Sequence, residues 1–164
     1  MGNLRVAPTA REIGWLEQAI GLATENVAAG GGPFGAIVAR EGVVLGLGTN
    51  HVVSSHDPTA HAEIVAIRAA CRRINDFRLP GCILITSCEP CPMCTAAALW
   101  ARLGAVVYAA DRRDAADAGF DDSRLFQLFT QPRPEWSIVF TQLRLPSALQ
   151  PFEAWRNNTD RVEY

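Results

Sequence analysis

Apolar side chains recur at helical spacing over residues 11–29, where Ile13, Leu16, Ile20, Ala23 and Val27 fall on one stripe. Thr9 stands where an N-cap belongs, with Glu12 three residues on, and Gly30-Gly31-Gly32 stops the helix. FGAIVAR (34–40) then reads as a strand, Glu41-Gly42 as a turn, and VVLGLGTN (43–50) as the returning strand of a hairpin. HDPT (56–59) is a turn and capping signal opening a helix through AHAEIVAIRAACRR. CILITS (82–87) is a short, continuously apolar strand, CPMCTAAALWARLG a helix ending at Gly104, and AVVYAA (105–110) another strand. Such a strand–helix–strand unit calls for parallel strands and a right-handed crossover. DRRDAADAGFDD reads as a polar, turn-rich connection. RLFQLF is then a short helix, WSIVFTQLRL (136–145) a fifth strand and SALQPFEAWRN a last helix. The pattern predicts an α/β fold, a three-layer α/β/α sandwich in which helices cover both faces of a five-stranded mixed sheet.

Composition narrows the function. A chain of 164 residues fits one domain, and 49% hydrophobic with 20% charged residues places it among ordinary globular proteins. No apolar stretch reaches the ~18 residues that span a bilayer, and the N-terminus lacks the pattern of a signal peptide, so the expectation is a cytoplasmic protein without a membrane partner. The net charge is −2, and the 15 cationic residues, all Arg, are scattered. A basic face for a nucleic acid backbone is missing from this pattern, which disfavours such a partner.

Five cysteines in a cytosolic chain argue for metal or chemistry over a disulfide framework. Cys71 and Cys82 lie inside apolar patterns and read as small core residues. Cys88, Cys91 and Cys94 are spaced C-x2-C-x2-C, but the next ligand of an iron–sulfur run falls on Ala98. A redox Cys91-x-x-Cys94 pair at a helix start remains open, but leaves His61-x-Glu63 unexplained. Zinc accounts for both. A catalytic zinc site takes three protein ligands and keeps a fourth position for water, and His61, Cys91 and Cys94 supply one nitrogen and two sulfurs. H-x-E with P-C-x-x-C is the known signature of zinc deaminases, in which the Glu, here Glu63, handles protons and is not a ligand. Cys88 ends the apolar strand and reads as packing.

DPTAHAEI (57–64) and TSCEPCPMC (86–94) carry a resemblance to the cytidine-deaminase-like superfamily of three-layer α/β zinc hydrolases. Those strings are shared with tRNA adenosine deaminases. GGPFGAIV (31–38), LWAR (99–102), AGFDDS (118–123) and PFEAWRNNTDRVEY (151–164) resemble bacterial guanine deaminases more closely, over nearly the whole chain. One departure is LWAR, where the family pattern has Tyr-Trp-Ala-Arg.

The resemblance implies hydrolysis of guanine to xanthine and ammonia, with one zinc ion per subunit. Nucleoside (guanosine) deamination is the alternative, and tRNA adenosine deamination a more remote one. It further implies that Phe34 packs on the purine, that Asn50 and the Ala62 backbone N–H bond to it, and that Trp100 lies close by. Asp122 would handle the amino group beside Glu63. Finally it implies a homodimer that exchanges C-terminal segments (about 147–164), so that Tyr164 closes the partner's pocket. A zinc-stabilised or thiol-redox binding module without hydrolytic activity is the reading from another class.

Overall fold

The computed structural model describes residues 8–163 and resolves into two compact units, one ending at Gln127 and one beginning at Leu128. In the first unit, α1 (Ala10–Ala28) is followed by the hairpin β1 (Gly32–Arg40) and β2 (Val43–Asn50), the single-turn α2 (Val52–Ser55) and α3 (Ala62–Ile74). β3 (Ile83–Cys88), α4 (Pro92–Trp100) and β4 (Ala105–Ala110) form the strand–helix–strand unit. The short helices α5 (Arg112–Asp117) and α6 (Ser123–Leu128) come next. Thr9 caps α1 as its sequence requires: its hydroxyl accepts from the Glu12 N–H at 3.2 Å, and the Glu12 carboxylate accepts from the Thr9 N–H at 2.8 Å.

The sheet runs β2-β1-β3-β4, antiparallel through its first two pairings and parallel between β3 and β4. Strand alternation sends Ala36, Val38 and Leu84 to one face, against Ala62, Ala66 and Ala70 of α3 and Ala98 of α4. It sends Ile37, Ala39 and Ile85 to the other, against Ala19 and its neighbours on α1. Ile37, Val38, Leu84 and Ile85 are wholly buried, each contributing roughly 1.5–3 kcal/mol. The α3 face is unusually close to the sheet. A Cβ on Gly48 would strike the Ala62 carbonyl and stand 2.6 Å from the Ala66 nitrogen, so the absence of a side chain there sets how near the start of α3 comes to β2.

The sheet has four strands, not five. Residues 136–145, expected as the fifth, pair with nothing among the described residues, and Val139 and Leu143 are more than three-quarters exposed. Their alternation is real, but a strand needs a ladder partner, and within the second unit there is none. The aromatic residues there pack locally instead: Trp136 stands edge-on to Phe129 at 5.4 Å and to Phe140 at 5.7 Å. That unit closes with α7 (Gln150–Asn157). Two further expectations shift. The connection after β4 holds α5, capped by Asp111, whose carboxylate accepts from the N–H groups of Arg113 and Asp114 at 2.8 and 3.1 Å. HDPT is a turn only: Asp57 accepts from the Thr59 N–H at 2.8 Å and hydroxyl at 2.7 Å, and α3 starts later, at Ala62.

Candidate metal centre and its surroundings

His61 is the N-cap of α3 and Cys91 the N-cap of α4, both with extended backbone and neither using its side chain to cap. Their side chains are thereby left to converge. Pro92 occupies the first position of α4, where its fixed φ suits a helix and its missing N–H costs nothing. Cys94 follows three residues after Cys91, which brings the two sulfurs together much as a capping box joins its partners.

The Nδ1 atom of His61 stands 3.7 Å from the Cys91 sulfur and 3.6 Å from that of Cys94, and all three donor atoms lie within 4.8 Å of one another. Zinc–sulfur and zinc–nitrogen bonds of roughly 2.3 and 2.0 Å at tetrahedral angles put their donors about 3.6 Å apart. The two histidine–cysteine edges of this triangle therefore fit zinc, and no other such group of His, Cys, Asp or Glu occurs among the described residues. The charges fit as well. A hydrogen bond from Cys94, outweighing burial, lowers the Cys91 thiol to about 4, while the same bond and burial raise Cys94. One thiolate and one thiol thus share a proton, and the Cys91 thiolate raises His61. A zinc ion held there would take both sulfurs as thiolates and the imidazole as neutral.

Glu63, in the first turn of α3, is 6% exposed, and burial first, then the neighbouring Cys91 thiolate, pushes its carboxyl upward. It feels His61, Cys91 and Cys94 at once, so the curl of the helix start brings it to the triad although it lies off the ligand stripe. Asp122 is brought to the same place. Burial and the Cys91 thiolate raise it, and it in turn raises His61. The N–H of Ser123, at the start of α6, bonds to Asp121, whose carboxylate accepts it at 2.9 Å.

Cys88 stays outside the triad. Burial drives its thiol to about 11, and it donates to the Asp111 carbonyl at 3.7 Å, so it packs as a neutral side chain. Cys82 is buried in the α3-face core and Cys71 packs partly against it.

Ala62, fully buried, is the first residue of α3, and its N–H is one of the donors a helix start leaves without an internal partner. Asn50 ends β2 and is buried, its side-chain oxygen accepting from the Val52 N–H at 3.3 Å. Phe34 lies in an irregular stretch of β1 and meets Phe120 edge-on at 5.0 Å. Both rings, with Cys88, line a cavity of about 500 Å³ between α1 and α5. Trp100 is not brought to the triad in this way. It ends α4, six residues and so about 9 Å of helix beyond Cys94, and is 70% exposed. Tyr164 lies outside the described residues. Sequence reasoning missed Phe120, although GFDD holds it two residues before Asp122, and missed Asn26, which bonds the carbonyls of Gly32 and Asn50.

Comparison with known proteins agrees with this geometry. Guanine deaminase of Bacillus subtilis is 51% identical over 151 residues, 92% of this chain and 97% of that one. Its solved structure matches with a TM-score of 0.89 at 50% identity, over 93% of this chain and 98% of that one. The structure of a guanine deaminase from Nitrosomonas europaea matches at a TM-score of 0.64 and 35% identity, over 71% and 67% of the two chains. A tRNA-specific adenosine deaminase from Aquifex aeolicus is 45% identical, but over 78 residues only, 48% of this chain and 52% of that one. Residues 10–110, which hold His61, Glu63, Cys91 and Cys94, match the zinc-binding region of cytidine and deoxycytidylate deaminases, and the chain belongs to that family.

Proposed function

We propose that the chain hydrolyses guanine to xanthine and ammonia, with one zinc ion per subunit held by His61, Cys91 and Cys94. The observation that carries this is the triad with Glu63 buried against it, in a chain whose likeness to guanine deaminases extends far past the metal-binding region. Likeness to the Aquifex aeolicus tRNA-specific enzyme covers about half the chain, against 92% for the Bacillus subtilis guanine deaminase, and the Arg residues are scattered along the sequence.

Bound zinc supplies the acidity that yields hydroxide near neutral pH. The residues do the rest. Glu63 accepts the proton of the attacking water and delivers it to a ring nitrogen as oxygen adds at C2. It then takes the second proton, from the hydroxyl now on C2, and gives it to the amine as the C2–N bond breaks, so that guanine and water become xanthine and ammonia. A carboxyl raised by burial is suited to both halves of that shuttle, since it holds a proton more readily than an exposed carboxylate does. Asp122, also raised and within electrostatic reach of Cys91, steers the amino group in this reading. Phe34 offers a ring face, and Asn50 and the Ala62 N–H offer polar contacts, which together orient the base for attack.

The C-terminal segment (about 147–164) is exchanged between the subunits of a homodimer, and Tyr164 closes the partner's pocket. Support comes from β4 standing at the edge of the sheet among the described residues, and from Leu149, Phe152 and Val162 of that segment, all at least half exposed. Among the described residues no helix is long and apolar enough to cross a membrane, and the reading places the enzyme in the cytoplasm. The deciding experiment follows ammonia release by zinc-replete protein from guanine, guanosine, cytosine and adenosine in parallel. Guanine should be turned over well above the others. Preference for guanosine would keep the chemistry and change the substrate, and silence on all four would remove the assignment.

A further inference from the structure

We infer that Asn26 is a positioning residue for guanine, tying together the two strand ends that present Phe34 and Asn50. This rests on the guanine reading above. Gly32 and Asn50 face each other across the β1–β2 ladder, but the next pair is Gly35 with Thr49, so β1 carries Pro33 and Phe34 as extra residues. Such a bulge aims a side chain away from the sheet and breaks the ladder hydrogen bonds beside it. The carbonyls of Gly32 and Asn50 flank the break. The Asn26 side-chain nitrogen, in the last turn of α1, donates to both, at 2.8 and 2.9 Å. Both partners are acceptors, so the amide's orientation is unambiguous, and both of its protons are in use.

The surroundings are shaped for that bridge. The Asn26 carbonyl accepts from the Gly31 N–H at 2.8 Å, folding the glycine segment back over the helix end. A Cβ on Gly31 would lie 2.7 Å from the Asn26 Cγ atom and closer still to its nitrogen, so any side chain there displaces the amide. A Cβ on Gly32 would come within 3.1 Å of the Asn50 side chain. Helix, bulge and strand end therefore lock as one piece. Asn26 touches neither the triad nor Glu63 by any of these bonds, so its loss should loosen the base and spare the bond-breaking step.

The test is steady-state kinetics on guanine for the wild type, Asn26→Ala, Asn26→Asp and Gly31→Ala, with zinc content and melting temperature measured on each. Asn26→Asp keeps the shape and removes both donors. Gly31→Ala keeps the amide and moves it. All three variants should raise KM roughly tenfold, the effect of losing two ordinary hydrogen bonds, with kcat within about threefold and zinc unchanged. A lower melting temperature with unchanged KM would make Asn26 a structural tether and overturn the inference, as would loss of zinc or a fall confined to kcat. A wild type inert on guanine would fail for a different reason, at the substrate itself, and would remove this role along with it.

Discussion

Residue identity at the metal centre can be tested cysteine by cysteine. Cys88 and Cys94 are both buried thiols near Glu63, yet only Cys94 faces His61. Cys94→Ser should therefore abolish tight zinc binding, while Cys88→Ser should leave metal content and turnover within about twofold, as measured by metal analysis and ammonia release. Glu63→Ala should keep zinc and lose at least ~10²-fold in kcat. Substantial activity in that variant, with zinc present, would take Glu63 out of the proton shuttle. The grouping of these residues was legible in the sequence because their positions depend on spacing along a helix start: N-cap and third position for the sulfurs, N-cap and second position for His61 and Glu63. Asp122 was harder to place. Two adjacent aspartates precede Ser123, and it takes the structure to show that Asp121 bonds the Ser123 N–H while Asp122 lies within electrostatic reach of Cys91 and His61.

At the scale of elements, the long periodic segments declared themselves and the short ones did not. α1, with its capping box, β2 and β4 stand where the pattern puts them, within a residue or so. α5 was hidden by its own composition, since Arg, Asp and Ala alternate there without an apolar stripe, although Asp111 and Asp114 spell a capping box. The start of α3 was misplaced because Asp57 and Thr59 satisfy each other within the turn. No sequence pattern announced how closely that helix packs. Gly48→Val should force α3 off the sheet, costing about 1–3 kcal/mol in chemical denaturation and weakening zinc binding, because His61 and Glu63 ride on the displaced end. Thr9→Ala, remote from the site, should cost about 1 kcal/mol and leave kinetics alone.

For the whole molecule, the missing fifth strand is the instructive failure. Residues 136–145 have a strand's alternation and no partner among the described residues, and alternation alone does not say whether a ladder partner exists. The proposed exchange gives a mixing test. A chain with Glu63→Ala and an intact tail is combined, through unfolding and refolding, with one that keeps Glu63 and lacks Asp160–Tyr164. Each homodimer should be nearly inactive, and the mixture should regain activity, because one site per mixed dimer has both parts. No recovery would count against exchange.

The open edge of β4, with Val106 and Tyr108 substantially exposed, also sets a race. An uncovered strand pairs with whatever strand arrives first. If its proper cover comes from another chain, the waiting time depends on encounter and shortens as protein concentration rises. Wrong pairing of like edges is hastened by crowding too, and at high concentration draws on the same exposed intermediates. Refolding yield should therefore pass through an optimum in concentration, falling off on the dilute side as well as the concentrated one, where a chain that completed its own sheet would only decline.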